Sequence, residues 1–387
     1  MNRSGILTIN AGSTSLKFAL YEPSALTKLG RGEVEFATGA ARLEANVEGA
    51  TKIERRLDGA DAWVALAAVD TWIAKTFPQI HIIAIGHRVV HGGARFTAPV
   101  RLDEPTLQAL EALDPLAPQH QPANLAAARE LAARYPDAVA VACFDTAFHA
   151  GWSDRARRMA LPRRFHDAGV RRYGFHGLSY EYLCGRLREL APHASRLVLA
   201  HLGGGSSMCA ARDGSSVDAT MGFSVLDGLP MATRCGAIDP GAIFHLHRAH
   251  GLGFDEIEHV LYYESGLKGI SGTSGDMRRL LADASAPAHE AVELYAYRCA
   301  GAIGAMTAAL GGIDALVFSG GIGAYAARVR AMVTASLDFL GVTIDAGANA
   351  ANASRISTQA SKVPVFALPT DEELMIARHT RRLLDTN

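Results

Sequence analysis

A short polar segment near the N-terminus contains the residue types that phosphate binding requires. Phosphate oxygens bind backbone N–H groups that approach closely, which favours glycine, together with hydroxyl donors and a cation. Residues 10–17, Asn-Ala-Gly-Ser-Thr-Ser-Leu-Lys, supply all three. The glycine–lysine spacing is not that of a Walker A loop, and an ordinary hairpin turn also uses glycine and serine. The segment therefore indicates either a phosphate loop or a plain turn.

Charged side chains follow two apolar runs further along the chain. The run that starts at residue 82 leads into Gly-His-Arg-Val-Val-His-Gly-Gly at 86–93, and Asp145 follows the run 138–144. Open α/β sheets bind ligands beyond the carboxyl ends of their strands. There Arg88 could bind a carboxylate or phosphate through two hydrogen bonds, and Asp145 could anchor Mg²⁺. The alternatives are core histidines beside a surface arginine, and an aspartate that caps a turn or helix.

Two further glycine-rich segments carry cationic or hydrogen-bonding groups. His176 lies between glycines and aromatic residues in 173–177, and Arg234 precedes Cys-Gly. A phosphoryl transition state spreads its charge over several oxygens, so it needs such groups from different segments. Glu372 lies in the acidic segment Thr-Asp-Glu-Glu that opens the last predicted helix, where its charge could equally complement the helix dipole.

The composition excludes several classes of protein. The 387 residues include 38 Lys and Arg against 39 Asp and Glu, and this near-neutral balance argues against a dedicated nucleic-acid binder. Hydrophobic residues make up 49%, which excludes a disordered chain. Five scattered cysteines without a C-x-x-C pair indicate reduced core thiols. With no signal-peptide pattern and no apolar run of about 18 residues, we expect a cytoplasmic protein.

Strand and helix patterns alternate along the chain, which predicts an α/β protein. The predicted strands are 6–9, 16–20, 32–36, 42–48, 51–57, 82–90, 138–144, 196–201, 208–211, 315–318 and 363–367. The predicted helices are 61–76, 103–113, 121–135, 180–190, 287–310, 325–339 and 371–384. The Arg-rich stretch 150–175 is irregular and suggests a domain boundary.

One pattern occurs twice. A strand, a Gly/Ser turn and a second strand occupy 6–20 and again 196–211, and a polar residue, Asn10 or His201, ends the first strand of each pair. Two phosphate-sized hairpins suggest a duplicated fold with a ligand between its halves. Two unrelated glycine-rich hairpins explain the pattern equally well.

Taken in order, the motifs resemble those of the acetate kinase family over essentially the whole chain. The matching segments are 6–17, 86–93, 144–149, 171–177, 201–207, 220–240 and 369–377. The resemblance implies a duplicated ribonuclease-H-like fold of the actin, sugar kinase and Hsp70 type, with two domains around a nucleotide cleft. The implied domains are 1–149 plus 373–387, and 150–372. It also implies a homodimer, and the composition adds the expectation that the protein binds neither nucleic acid nor membrane.

The activity that the resemblance implies is reversible, Mg²⁺-dependent transfer of the ATP γ-phosphoryl group to acetate, giving acetyl phosphate and ADP. Mn²⁺ is an alternative metal, and another short carboxylate is an alternative acceptor. Acetate is already ionised at pH 7, so in-line positioning and charge stabilisation suffice without a strong general base.

The resemblance also assigns site residues by position. The catalytic residues would be Arg88, Asp145, His176 and Arg234, with His120 and His201 supporting the transition state. The nucleotide and its phosphates would bind at Asn10, Ser13, Ser15, Lys17, Gly203, Gly204, Gly205, Asp276, Met277, Arg278, Gly321, Ile322 and Gly323. The acyl pocket would be formed by Val90, Gln119, Phe175 and Val225. The metal would be held by Asn10, Asp145 and Glu372.

The chain departs from the family pattern at several of these places. Gly204 stands for the usual Asn, Ala237 for an acidic residue, Ala324-Tyr325 for Glu-Asn, and Leu178-Ser179-Tyr180 for Thr-Ser-His. In the acyl pocket, Gln119 replaces a leucine and Val225 a proline. A polar Gln119 favours an acceptor with an extra polar group or weakens acetate binding.

Two alternatives to acetate kinase activity stay open. The first keeps the fold and changes the substrate, to propionate or another short acid, or to pyrophosphate as donor. The second is a non-catalytic, nucleotide-binding, actin-like switch. The retained charged residues Arg88, His176 and Arg234 argue against the switch, because a pure binder would not need them.

Overall fold

The computed structural model describes residues 3–12, 15–37, 40–47, 52–59, 61–118 and 120–385. Ser13 and Gln119 lie outside the described residues. The chain divides into two compact units: unit 1 is Met1–Phe148 with Asp371–Asn387, and unit 2 is His149–Thr370. This division assigns His149 to unit 2 and Asp371 and Glu372 to unit 1, whereas the sequence-based boundaries put each of them on the other side.

Unit 1 is built on one mixed sheet with strand order β5-β4-β3-β2-β1-β6-β8-β7. Its strands are β1 (Arg3–Ala11), β2 (Ser15–Tyr21), β3 (Lys28–Ala37), β4 (Ala40–Val47), β5 (Ile53–Leu57), β6 (Ile80–Val89), β7 (Val100–Arg101) and β8 (Val139–Phe144). Its helices are α1 (Ala62–Thr76), α2 (Glu104–Glu111), α3 (Gln121–Arg134) and the C-terminal helix, α15 in chain order (Glu372–Leu384).

Unit 2 has a smaller sheet with strand order β11-β10-β9-β12-β13. Its strands are β9 (Arg196–Leu202), β10 (Ser206–Arg212), β11 (Ser215–Ala219), β12 (Ala315–Ser319) and β13 (Val365–Ala367). Its helices are α4 (Asp154–Arg157), α5 (Arg163–Asp167), α6 (Gly177–Leu190), α7 (Pro240–His250), α8 (Phe254–His259), α9 (Gly266–Ser271), α10 (Met277–Ala282), α11 (Ala286–Leu310), α12 (Gly320–Tyr325), α13 (Ala327–Thr334) and α14 (Ala346–Ala350).

The two sheets repeat one topology. In unit 1, β3-β2-β1 is antiparallel and β1-β6-β8 is parallel; in unit 2, β11-β10-β9 is antiparallel and β9-β12-β13 is parallel. One pair before each hairpin turn, Asn10 lies opposite Lys17 and His201 lies opposite Ser207. This repeat confirms the predicted α/β fold with two ribonuclease-H-like halves.

Apolar strands and one long helix form the cores. In unit 1, Leu7, Ile9 and Phe18 pack with Trp72 of α1. In unit 2, α11 lies against the sheet and buries residues such as Tyr295 along its length. Because both faces of the central strands are covered, β1 is buried from Gly5 to Ala11 and β9 from Leu197 to Ala200, without the alternation of a one-sided sheet.

Two stretches differ from the sequence-based prediction. The predicted helix 325–339 is shorter in the structure: α13 begins at Ala327, because Ala326 leaves the helical conformation (φ −97°, ψ 81°), and ends at Thr334, and a separate 3-10 helix follows at Asp338–Leu340. The stretch 150–175 contains the short helices α4 and α5, the first capped by the Ser153 side chain. Among the described residues, no helix is long and apolar enough to span a membrane.

Candidate active site

A buried ion pair lies at the carboxyl ends of the parallel strands of unit 1. Arg88 Nε and Nη2 donate to the two oxygens of Asp145 at 2.9 and 2.6 Å, and Nη1 donates to Asn10 Oδ1 at 3.1 Å. Asp145 is 2% exposed. These residues end the adjacent strands β6, β8 and β1, so the sheet order brings them to one edge. The structure therefore brings together three residues that the sequence placed far apart.

Two carboxylates from the first turn of α15 join this group. Asn10 Nδ2 donates to Glu372 Oε2 at 3.1 Å and to Glu373 Oε1 at 3.4 Å. Burial, and then the charge of Asp145, raise the pKa of Glu372, although Arg88 and Lys17 oppose the shift. Burial and the charge of Glu372 likewise raise the pKa of Glu373. The site thus carries more negative than positive charge.

This excess of negative charge and oxygen donors fits a hard divalent cation. Mg²⁺ is commonly held by one or two carboxylates while water and substrate phosphates supply its other ligands. Asn10, Glu372 and Glu373 offer such oxygens, whereas both Asp145 oxygens accept hydrogen bonds from Arg88. Within the described ranges, no cluster of three or more His, Cys, Asp or Glu has metal-binding geometry, so the protein alone supplies a partial ligand set.

Glu373 was missed by the sequence-based reasoning. The segment Thr-Asp-Glu-Glu contains two glutamates, and only the first was assigned to the metal. The signal that could have identified it is that the two glutamates are neighbours at the start of the helix. Side chains of a helix's first turn can both reach a residue that packs against that end of the helix. Their shared contact with Asn10 depends on the packing of α15 against β1, which the sequence does not display.

Two buried amides of α3 hold the strand ends in place. Asn124 Oδ1 accepts from Val90 N at 3.1 Å, and its Nδ2 donates to Ala11 O at 2.7 Å. Gln121 accepts from His91 N at 3.1 Å and donates to His91 O at 3.0 Å. Val90 is thereby fixed as a buried residue beside Arg88. The predicted site residue His120 is the N-cap residue of α3, directly before these amides.

Unit 2 holds a second group around His176. This residue adopts a left-handed backbone (φ 59°) as the N-cap of α6, and its ring stacks on His201 with centroids 4.3 Å apart. His176 Nδ1 lies 2.8 Å from Ser207 Oγ, and His201 Nδ1 lies 2.8 Å from Ser179 Oγ. Phe175, predicted for the acyl pocket, is 1% exposed directly before His176.

The loop Gly203–Gly205 joins the β9–β10 hairpin beside the imidazole of His176. A Cβ on Gly205 would lie 3.3 Å from Arg234 Nη2 and 3.4 Å from His176 Nε2, so any side chain there would crowd both groups. The corresponding position on Gly203 lies 3.8 Å from Gly321 N, at the start of α12. The backbone of this loop therefore lies open beside Arg234 and His176 and beside the N-terminus of α12.

Arg234 is held by the main chain of a neighbouring loop. Its Nη1 donates to Val225 O at 2.8 Å, and Val225 is half-buried. A planar guanidinium fixed in this way has a set orientation, which suits the binding of a phosphate or carboxylate.

The other predicted nucleotide residues divide by environment. Met277 and Ile322 are buried in the unit 2 core. Asp276 caps α10, accepting from Arg278 N at 2.8 Å, and pairs with the exposed Arg278 guanidinium at 2.8 Å. The remainder are Ser15, which opens β2; Lys17, which is exposed; Gly204, whose Cβ position is open; and Gly323, whose carbonyl accepts from Arg330.

Comparison with known proteins gives one consistent result. The model of the acetokinase family matches residues 5–378. An acetate kinase of Rhodopseudomonas palustris (strain TIE-1) is 48% identical over 391 aligned positions, covering 98% of each chain.

Solved structures agree with the sequence comparison. A propionate kinase from Francisella tularensis subsp. tularensis SCHU S4 superimposes with a TM-score of 0.91 at 34% identity, covering 98% of this chain and 99% of that one. The Porphyromonas gingivalis acetate kinase gives a TM-score of 0.87 at 34% identity, covering 98% and 100%. The chain belongs to the acetokinase family.

Proposed function

We propose that this enzyme transfers the γ-phosphoryl group of ATP to acetate, reversibly, giving acetyl phosphate and ADP. The observation that carries the proposal is that this chain, a member of the acetokinase family, has two clusters of charged and polar side chains. Arg88, Asp145 and Asn10 form one group at the strand ends of unit 1. His176 and Arg234 form the other beside the glycine loop of unit 2. We propose that both groups act on the same transfer.

Arg88 serves the acceptor in this mechanism. Among the described residues, three of its five N–H groups bind Asp145 and Asn10, so two remain for an incoming anion. Asp145 fixes the direction of those two donors through its two-point contact. An acetate carboxylate aligned in this way attacks phosphorus directly, because it is already ionised at pH 7 and no proton needs to be removed.

The groups of unit 2 serve the phosphoryl group. Arg234 and His176 donate hydrogen bonds to the oxygens on which charge develops, while backbone N–H groups of Gly203–Gly205 and the start of α12 bind the phosphate chain. Asn10 and Glu372, with Glu373, would hold Mg²⁺. When bound, the metal neutralises phosphate charge and so lowers the repulsion between the two anions.

Propionate is the second candidate acceptor. The protein from Francisella tularensis with a TM-score of 0.91 is described as a propionate kinase, and the chemistry above is the same for both acids. The acyl pocket decides between them, and Gln119 is its most unusual member. A panel of short acids, and of ATP against pyrophosphate, ranked by kcat/KM, therefore completes the assignment.

We also propose that the protein is a homodimer located in the cytoplasm. Helix α7 buries none of its residues within the chain, and Phe244 and Phe254 are 52% and 66% exposed nearby. A second copy would cover this apolar face. Among the described residues, none of the five cysteines forms a disulfide, which suits a reducing compartment. Light scattering of the wild type and of Phe244→Glu tests the dimer.

The test of the activity is direct. Purified protein with ATP, Mg²⁺ and millimolar acetate should form acetyl phosphate, trapped as the hydroxamate, and Arg234→Ala should lose most of this product. A folded wild-type protein that forms no acyl phosphate from any short acid would contradict the proposal. Tight ATP binding by calorimetry under those conditions would then favour a nucleotide-binding switch.

A further inference from the structure

Two buried hydroxyl groups lead to one ring nitrogen of His176. The Tyr180 hydroxyl contacts Ser207 Oγ, which lies 2.8 Å from His176 Nδ1. Tyr180 and Ser207 are both 0% exposed. Tyr180 N also bonds to His176 O at 3.1 Å, one helical turn away. The three residues thus form a closed chain between the start of α6 and strand β10.

The chemistry of the two hydroxyls gives this chain a direction. A phenol is a stronger hydrogen-bond donor than an aliphatic alcohol because its proton is more acidic. We take Tyr180 as the donor to Ser207 Oγ on this ground, which leaves the Ser207 hydrogen for His176 Nδ1. An Nδ1 that accepts a hydrogen bond carries no proton, so the proton of a neutral ring lies on Nε2.

Two groups lie beside the ring of His176. His201 of β9 stacks on it with an interplanar angle of 21°, and Arg234 Nη2 shares the space beside Gly205 with His176 Nε2. Nε2 of His176 therefore faces the glycine loop.

A second histidine chain in unit 2 has the same arrangement. Phe175 O can only accept, so His149 Nε2 donates to it at 2.9 Å, and Nδ1 of a neutral ring then accepts from Ser216 Oγ at 2.7 Å. Ser216 Oγ in turn accepts from Trp152 Nε1 at 2.7 Å. This chain holds the carbonyl directly before His176, whose left-handed backbone needs such support.

We propose that Tyr180 is a positioning residue that, through Ser207, holds His176 as the neutral Nε2–H tautomer and so directs a hydrogen-bond donor at the transferred phosphoryl group. The proposal rests on the proposed function for the identity of the acceptor. His176 is the catalytic residue, and Tyr180 acts only through Ser207. No proton leaves the ring during transfer. The hydrogen bond that Nε2–H donates becomes stronger as charge develops on the phosphoryl oxygens.

Nitrogen NMR tests the tautomer without any activity measurement. Protein labelled with ¹⁵N-histidine, with the His176 signals assigned from a His176→Gln variant, should show a protonated Nε2 and an unprotonated Nδ1 at pH 7.5. Tyr180→Phe should shift both signals towards a mixture of tautomers. Tyr295→Phe is the matched control, because the Tyr295 hydroxyl lies 2.8 Å from the Oγ of Ser206, the neighbour of Ser207 in the same hairpin.

Kinetics separate a positioning role from a merely structural one. We expect Tyr180→Phe to lower kcat about tenfold while the KM values for ATP and acetate stay within about twofold. The acidic limb of its kcat profile should move to higher pH, because the imidazolium is less disfavoured. Ser207→Ala should have the same effects.

Two outcomes would overturn the proposal. One is a wild-type His176 that is charged or protonated on Nδ1 at pH 7.5. The other is a Tyr180→Phe variant with unchanged His176 signals and an unchanged pH profile. A wild-type protein without kinase activity would contradict the proposed function, while the NMR comparison would still decide the tautomer.

Discussion

Arg88 and Asp145 form a two-point ion pair, with Arg88 Nε 2.9 Å from Asp145 Oδ1 and Nη2 2.6 Å from Oδ2. Burial lowers the pKa of Arg88, but the charge of Asp145 more than reverses this, so the guanidinium stays charged. The pair therefore neutralises one of the carboxylates of the site and, within the described part of the chain, leaves Glu372 and Glu373 without a two-point partner of this kind. In the proposed mechanism, Asp145 orients the arginine and the helix carboxylates hold the metal.

The first prediction concerns the geometry of this pair. Arg88→Lys keeps the positive charge but loses the planar fork, so we expect kcat/KM for acetate to fall at least about a hundredfold. Arg88→Ala should lose nearly all activity and, by leaving Asp145 buried without its partner, should cost about 3 kcal/mol of unfolding free energy. Steady-state kinetics and urea denaturation measure the two effects.

Arg129 offers the control for this prediction. It pairs with Glu104 at 2.7 Å and Glu111 at 2.9 Å on the surface of the same unit. Arg129→Ala should cost less than about 1 kcal/mol and leave kinetics unchanged. Equal losses in Arg88→Lys and Arg129→Ala would show that the fork of Arg88 has no special role.

The second prediction concerns the metal. Glu372→Gln removes the carboxylate that Asn10 holds at 3.1 Å, so the Mg²⁺ concentration for half-maximal rate should rise at least about tenfold. Because burial raises the pKa of Glu372, protons compete with the metal for this carboxylate at a higher pH than they would at an ordinary carboxylate. The wild type should therefore need more Mg²⁺ at pH 5.5 than at pH 7.5.

Glu373→Gln is the comparison for this measurement. The contact of Glu373 with Asn10 is longer than that of Glu372, at 3.4 Å. We expect a smaller rise in the Mg²⁺ requirement. A larger rise than in Glu372→Gln would reverse the assignment of the two carboxylates, and no rise in either would remove both from the metal site.

How far the sequence predicts this site depends on where each residue lies. Arg88 and Asp145 end apolar runs, and parallel strands bring such ends to one edge, so their meeting follows from the pattern. The hairpins at 6–20 and 196–211 follow in the same way from alternating residues around a Gly/Ser turn. The topology adds what the pattern left open, namely that the two hairpins occupy equivalent positions in two similar sheets.

Other parts of the site depend on packing that no local pattern reveals. Asn124 and Gln121 read as ordinary polar residues of a helix, yet both are buried and bond to the backbone of strands far away in sequence. In the sequence, Tyr180 is notable only as a departure from the family pattern. Its hydroxyl contact with Ser207 becomes visible only in the structure. Partners of this kind are chosen by tertiary contact, so residue type alone does not identify them.

The third prediction concerns stability and pH. His87 is 1% exposed, and burial lowers its pKa from 6.5 to about 4. Neither ring nitrogen has a hydrogen-bond partner among the described residues. Folding therefore favours the neutral ring, and this contribution is complete above pH 6.5 and is lost as the pH falls towards 4. We expect the wild type to lose about 2 kcal/mol from this residue between pH 7.5 and 5.

His87→Leu should remove that loss. Urea denaturation at several pH values compares its slope with the wild type and with His81→Leu, an exposed position of the same strand. The His87→Leu curve should be flatter below pH 6.5, while the His81→Leu curve should retain the contribution of His87. Parallel curves for the wild type and His87→Leu would show that His87 reaches water or a partner in solution.

The fourth prediction concerns substrate choice. Gln119 stands where the family pattern has leucine, next to His120 and in the predicted acyl pocket. Gln119→Leu should raise kcat/KM for acetate and propionate, and should change their ratio by at least about threefold, since burying an amide against a methyl group is unfavourable. Coupled ADP-release assays with both acids measure this. An unchanged ratio would remove Gln119 from the pocket.

The last prediction concerns a buried cation that neutral groups hold. Arg330 is 0% exposed and donates to Gly323 O at 2.9 Å, to Asn349 Oδ1 at 2.7 Å and to Asn352 Oδ1 at 2.6 Å. Gly323 belongs to α12, whose start we assign to the nucleotide. Arg330→Met should leave these acceptors without their donor and cost about 3 kcal/mol of unfolding free energy.

Arg330→Met should also raise KM for ATP more than KM for acetate, because α12 loses this anchor. Arg328→Met, an exposed position on the same helix, should do neither, and equal changes in both KM values for Arg330→Met would indicate general loosening of unit 2 instead.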